Sequence, residues 1–186
     1  MKKQLRFTLP PVLLFLFVFY PVSLFALIRY VTPTGAGAKD GSSWANASDD
    51  LQAMINASAA GDKIYVAVGV YKPTHLANDV NTISINNRLC AFVLKRSVEI
   101  YGGFDPDNGI TDLDNRILPG TGSGSVLSGN LGDVNSINDN AYHVVIAAGP
   151  SSSWHWPNTA LDGFFVQEGH ASTTGLSITV NEQTIS

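Results

Sequence analysis

Past residue 62 the chain is a series of short apolar stretches, each fenced by Gly, Asn, Asp, Ser or Pro, and none carries a strong helical period. This punctuation constrains the fold more than any other feature. Residues 64–68 and 98–101 alternate inward apolar with outward side chains, as half-buried strands do. Further strands are predicted at 91–94, 125–127, 142–146, 161–166 and 176–180. The starts near 64, 91, 125, 142, 161 and 176 lie 27, 34, 17, 19 and 15 residues apart, with 14 Asn and 17 Gly to supply turns. Short strands at loosely repeating intervals suit a sandwich or a solenoid of stacked coils.

One helix precedes the strands. Ser48 reads as an N-cap with Asp49 and Asp50 in the first turn, where the helix dipole favours acids. Leu51, Met54, Ile55 and Ala59 then fall on one face, and Gly61 closes the helix. A solenoid leaves an open apolar end that needs a cover with a polar outer face, and a single amphipathic helix ahead of the first strand provides one. The helix therefore favours the solenoid over the sandwich.

Residues 1–26 have a basic start, an apolar run from Val12 to Tyr20, then Pro21 and a small-residue exit at Ala26, the layout of a secretory signal. Removing Lys2, Lys3 and Arg6 leaves 8 of the 11 basic residues against 15 acidic ones, a net charge of −7. An electrostatic nucleic-acid binder is excluded on that balance. Beyond the leader no apolar run approaches the ~18 residues of a membrane span. Cys90 is the single cysteine, so the chain is not a disulfide scaffold even if exported, and a buried thiol is expected. Asn46-Ala47-Ser48 and Asn56-Ala57-Ser58 match the N-glycosylation pattern, the second inside the predicted helix.

Several segments in order then become distinctive. They are Tyr30-Val31-Thr32-Pro33, Asp40-Gly41-Ser42-Ser43-Trp44-Ala45-Asn46-Ala47, Ala60-Gly61-Asp62 and the stretch from Ile64 to Thr74. Val98-Glu99-Ile100-Tyr101-Gly102-Gly103-Phe104, Val126-Leu127-Ser128-Gly129-Asn130, Asn140-Ala141-Tyr142-His143-Val144-Val145 and Leu161-Asp162-Gly163-Phe164 continue the series. Over residues 30–170 the chain resembles the N-terminal portion of pectate-lyase-like right-handed parallel β-helix proteins exported to the surface of Gram-negative bacteria. The resemblance implies an all-β right-handed parallel β-helix with an N-terminal capping helix, the cap at about 27–62 and the coils at about 63–186. Such proteins commonly continue into a glycine-rich coil and a sorting or anchoring module, so a truncated gene, a fragment or a minimal helix of few coils with an uncapped end is expected here. An uncovered parallel strand at the end of the coils would invite pairing with another chain.

The segment from Asp105 to Asp112 places oxygen ligands around the turn at Gly109, which suits a hard cation. Asp105, Asp107 and Asp112 are therefore candidate Ca²⁺ ligands, and no other cofactor is expected. The same residue types are ordinary in a turn, and the closing Glu of an EF-type loop is missing. The resemblance implies that lyase activity would use an Arg base beside Ca²⁺-binding Asp residues. Arg29, Arg88, Arg96 and Arg116 match no such motif. A hydrolase would need paired carboxylates, and the spacing of Asp133, Asp139 and Asp162 singles out no pair. His75, His143, His155 and His170 lack metal-ligand spacing. Trp154-His155-Trp156 is the candidate glycan-binding loop, two rings to stack on sugar and a His to donate a hydrogen bond, or else rings folded back over the coil. Trp44 and Tyr71 read as packing residues near the cap.

Two functional readings follow. One is a non-enzymatic, exported cell-surface protein, adhesin-like or glycan-contacting, whose partner is a polysaccharide or host or cell-surface glycan. The other is a polysaccharide lyase or hydrolase acting on acidic glycans. A third possibility is a remnant of a longer protein. The location expected is the outer-membrane surface or the extracellular medium.

Overall fold

The computed structural model describes residues 26–120, 123–149, 157–172 and 176–186. The leader, but for Ala26, and the Trp154-His155-Trp156 loop lie outside the described residues. Strands run β1 Ile28–Val31, β2 Lys63–Ala67, β3 Gly69–Tyr71, β4 His75–Leu76, β5 Asp79–Ile83, β6 Phe92–Val93 and β7 Glu99–Phe104. They continue with β8 Ser125–Ser128, β9 Val145–Ile146, β10 Ala160–Asp162, β11 Phe164–Gln167, β12 Ile178–Val180 and β13 Gln183–Ile185. The one α-helix among the described residues, α1, spans Leu51–Ala57.

These strands do not close into the right-handed parallel β-helix expected from the sequence. They form five separate sheets: parallel sheets ordered β1-β2-β7-β10, β11-β8-β3 and β6-β9, and antiparallel hairpins β4-β5 and β12-β13. The physical reason is in the spacing. Strands of two to six residues alternate with long excursions that hold 3-10 turns at Pro106–Asn108 and Leu113–Asn115, and two hairpins reverse the chain. No constant rung length is available to build a regular coil. The segment expected as a cap supplies both the helix and a strand, β1, that pairs in register with β2 from Ile28↔Lys63 to Val31↔Val66.

The helix begins two residues later than Ser48 would place it. Asp50 is the N-cap and its carboxylate accepts from Ala53 N at 2.9 Å, whereas Ser48 bridges to Val31 and its hydroxyl accepts from Asp50 N at 3.1 Å. Leu51, Gln52 and Ile55 are its buried residues. Gln52 docks on β6 as a strand would, donating to Val93 O at 3.2 Å and accepting from Val93 N at 2.8 Å. Arg29 closes the other end, donating to Ala57 O at 2.8 Å and Ser58 Oγ at 3.2 Å.

The main core gathers Val31, Leu51, Ile55, Ile64, Val66, Tyr71, Phe92, Val98, Ile100 and Leu127, with each buried side chain contributing roughly 1.5–3 kcal/mol. A second cluster joins Ala77, Ala91, Val93, Ile146, Ala148 and Val180 under the last hairpin. Ser125, fully buried, ties three strands. Its hydroxyl donates to Ala67 O at 2.8 Å and accepts from Gly103 N at 2.8 Å, beside the irregularity that shifts β2 against β7. Cys90 is buried and its thiol donates to Ser84 O at 3.0 Å. No helix among the described residues is long and apolar enough to cross a membrane.

Candidate functional site

The four-stranded sheet places one residue type repeatedly on one face. Register pairs Tyr30 with Tyr65, Tyr65 with Tyr101 and Tyr101 with Asp162, so three tyrosines form a column across β1, β2 and β7. Ile64 and Ile100, their neighbours, point the other way and are buried, which sets the tyrosines on the outer face. The rings meet edge to face, with centroids 6.0 Å apart for Tyr30 and Tyr65 and 6.2 Å for Tyr65 and Tyr101. Trp44, from a 3-10 turn packed on β1, sets its ring 4.9 Å from Tyr30 and 5.5 Å from Phe104. Phe104 is fully buried and stacks on Tyr65 at 4.4 Å, while Tyr30, Trp44, Tyr65 and Tyr101 are half-buried.

Charges frame this face in balanced pairs. Lys63 meets Glu99 at 3.3 Å and lies 5.8 Å from the centre of the Tyr101 ring. Arg116 sits 5.1 Å from the same ring and pairs with Asp162 at 3.2 Å. Burial, then the Tyr65 phenol, pushes Tyr30 above the usual tyrosine range; burial, then the Glu99 charge, does so for Tyr101. Both phenols thus stay protonated at neutral pH and can donate a hydrogen bond. The hydrogen bond to Glu99 holds Lys63 above the usual lysine range, so its ammonium stays charged.

Sequence reasoning placed Trp44 near the cap but missed the tyrosine column. The available signal was the recurrence of Tyr30, Tyr65 and Tyr101 at spacings of 35 and 36 residues, each next to a β-branched residue. The residues singled out from sequence are scattered instead. Asp105 accepts from the Asn108 side-chain amide at 2.8 Å, Asp107 lies exposed in the turn, and Asp112 precedes the next turn. Among the described residues no group of three or more His, Cys, Asp or Glu side chains is gathered to hold a metal ion, so the Ca²⁺ set does not form one cluster.

The arginines are largely structural clamps. Arg88 donates to Asn140 O at 2.6 Å and His170 O at 2.8 Å and covers the Tyr142 ring, and Arg116 also donates to Leu113 O and Gly102 O. Asp139 accepts from the Asp133 backbone at 2.6 Å within one loop, and Asp162 pairs with Arg116 at 3.2 Å. His75 bonds Asp50 at 2.8 Å and Val80 O at 2.7 Å, and His170 bonds Ile137 O. Tyr71 is buried and its hydroxyl donates to Ala67 O at 2.9 Å. No protein-family profile, curated protein or solved structure matches the chain.

Proposed function

We propose that this is an exported, non-enzymatic surface protein that contacts a neutral glycan through the outer face of its four-stranded sheet. The observation that carries the reading is the column of half-buried rings Tyr30, Tyr65 and Tyr101, extended by Trp44. Aromatic faces stack on the apolar C–H faces of sugars, and phenol hydroxyls at the rim bond the sugar hydroxyls. The rings stand edge to face, with Phe104 stacked on Tyr65 and Arg116 beside Tyr101, so the column offers a row of ring edges and hydroxyls along which a chain of sugars can lie. The flanking charges cancel as Lys63–Glu99 and Arg116–Asp162, so nothing on this face favours a polyanion. The same pairing weighs against lyase or hydrolase action on acidic glycans, since Arg116 and Asp162 are already engaged with each other. Signal-like residues 1–26 support export.

The test is retention of the full chain on immobilised neutral polysaccharides (cellulose, xylan, mannan) and on an acidic one, polygalacturonate. Retention on a neutral polymer that falls at least tenfold in Tyr65→Ala and Tyr101→Ala supports the proposal. Retention on polygalacturonate alone, or retention indifferent to both substitutions, overturns it.

A further inference from the structure

A cleft beside α1 is lined by none of the residues of the tyrosine column. This cleft of about 520 Å³ opens between α1, β5, β6 and the turn joining β12 to β13, within the size range of small-molecule sites. Its amides are already engaged in holding the fold. Gln52 is bonded to Val93, Asn56 donates to Val80 O at 2.8 Å, and Asn181 donates to Ala148 O at 2.9 Å. Two charged residues at its exposed rim, Arg96 and Glu182, make no side-chain hydrogen bond or ion pair among the described residues. Lys95 adds positive charge beside Arg96 while donating to Asn56 O and Ser58 O. Ile55, Val80, Val93 and Leu94 supply an aliphatic lining.

Backbone conformation gives an independent pointer. Asn181 and Glu182 are the two central residues of the hairpin turn, with φ of 46° and 68°. Two left-handed residues in a two-residue loop are the type I′ geometry, in which the second position favours Gly. A glutamate there is held against its own backbone preference, and such residues gather at ligand sites.

We infer that this cleft binds a short aliphatic peptide with both termini free. Its carboxylate would meet the Arg96 fork, which suits bidentate pairing, its ammonium would meet Glu182, and its side chains would lie on the aliphatic lining. Opposite charges on one cleft distinguish this ligand from a simple anion such as phosphate.

The experiment is isothermal titration of the full chain with leucyl-leucine, its N-acetyl derivative and its C-terminal amide, repeated with Arg96→Ala, Glu182→Gln and Glu182→Gly. Saturable binding of leucyl-leucine is expected, weakened at least tenfold by removing either ligand charge and by each substitution. Glu182→Gly is further expected to raise the melting temperature while losing the peptide, a combination that a purely structural glutamate would not show. Absence of saturable leucyl-leucine binding overturns the inference, as does equal affinity of the blocked derivatives or of the variants.

Discussion

Asp49 and Asp50 are adjacent acids at the start of one helix, yet their truncations should differ several-fold in cost. Asp49 pairs with Lys39 on the surface, both side chains more than 40% exposed, a contact worth about 0–1 kcal/mol. Asp50 caps α1 through Ala53 N and also bonds His75 Nε2, in a residue only 5% exposed whose other ring nitrogen bonds Val80 O. Asp50→Ala removes the cap, about 1 kcal/mol, and strands a buried ring nitrogen, about 2 kcal/mol. A loss near 3 kcal/mol lowers the melting temperature by roughly 10 °C for a chain of this size. Urea and thermal unfolding of the purified chain measure it. Asp49→Ala should fall within about 1 kcal/mol of wild type. Equal losses for the two alanines would refute this assignment of the cap and of the His75 contact.

Three further outcomes follow from the packing. Gly103→Ala should cost several kcal/mol, because φ is +91° and the added Cβ would lie 2.2 Å from Ile117 O; Gly109→Ala, at φ +78° in open space, should cost only about 1 kcal/mol, as paired denaturation curves would show. Ser125→Ala should lower stability by roughly 2 kcal/mol, since Gly103 N loses its acceptor inside the core, again read by denaturation. Tyr30, Tyr71 and Tyr101 are all raised in the fold, first by burial, so the stability they contribute is complete below pH 10 and is lost as pH climbs through their folded values. Unfolding free energy should therefore decline above about pH 10, less steeply in Tyr71→Phe; a flat profile to pH 11 would contradict this.

The sequence carried the local signals better than the long-range ones. Leu51 and Ile55 at helical spacing located α1, but Ser48 and Asp50 are equally good caps, and only the bridge from Ser48 to Val31 decides between them. The single run 161–166 divides into β10 and β11 because Gly163 turns the corner at φ +83°, where a Cβ would lie 2.6 Å from Gly102 O. Nothing local in the apolar run reveals that approach. The closing hairpin was hidden by its own chemistry, since Asn181-Glu182 lacks the Gly that marks such a turn. Its reversal, with that of β4 and β5, is what separates the sheets from a regular coil. The tyrosine column was legible only by aligning strands about 35 residues apart, which depends on register rather than on any motif.

The most direct test of the glycan-contacting face is affinity electrophoresis through gels containing xylan or soluble β-glucan. Wild type would be compared with a Tyr65→Ala/Tyr101→Ala double variant shown by denaturation to be folded. The account predicts a mobility shift with a neutral polymer for the wild type and its loss in the double variant. Equal shifts for the two proteins, or none for the wild type with any neutral glycan, would contradict it.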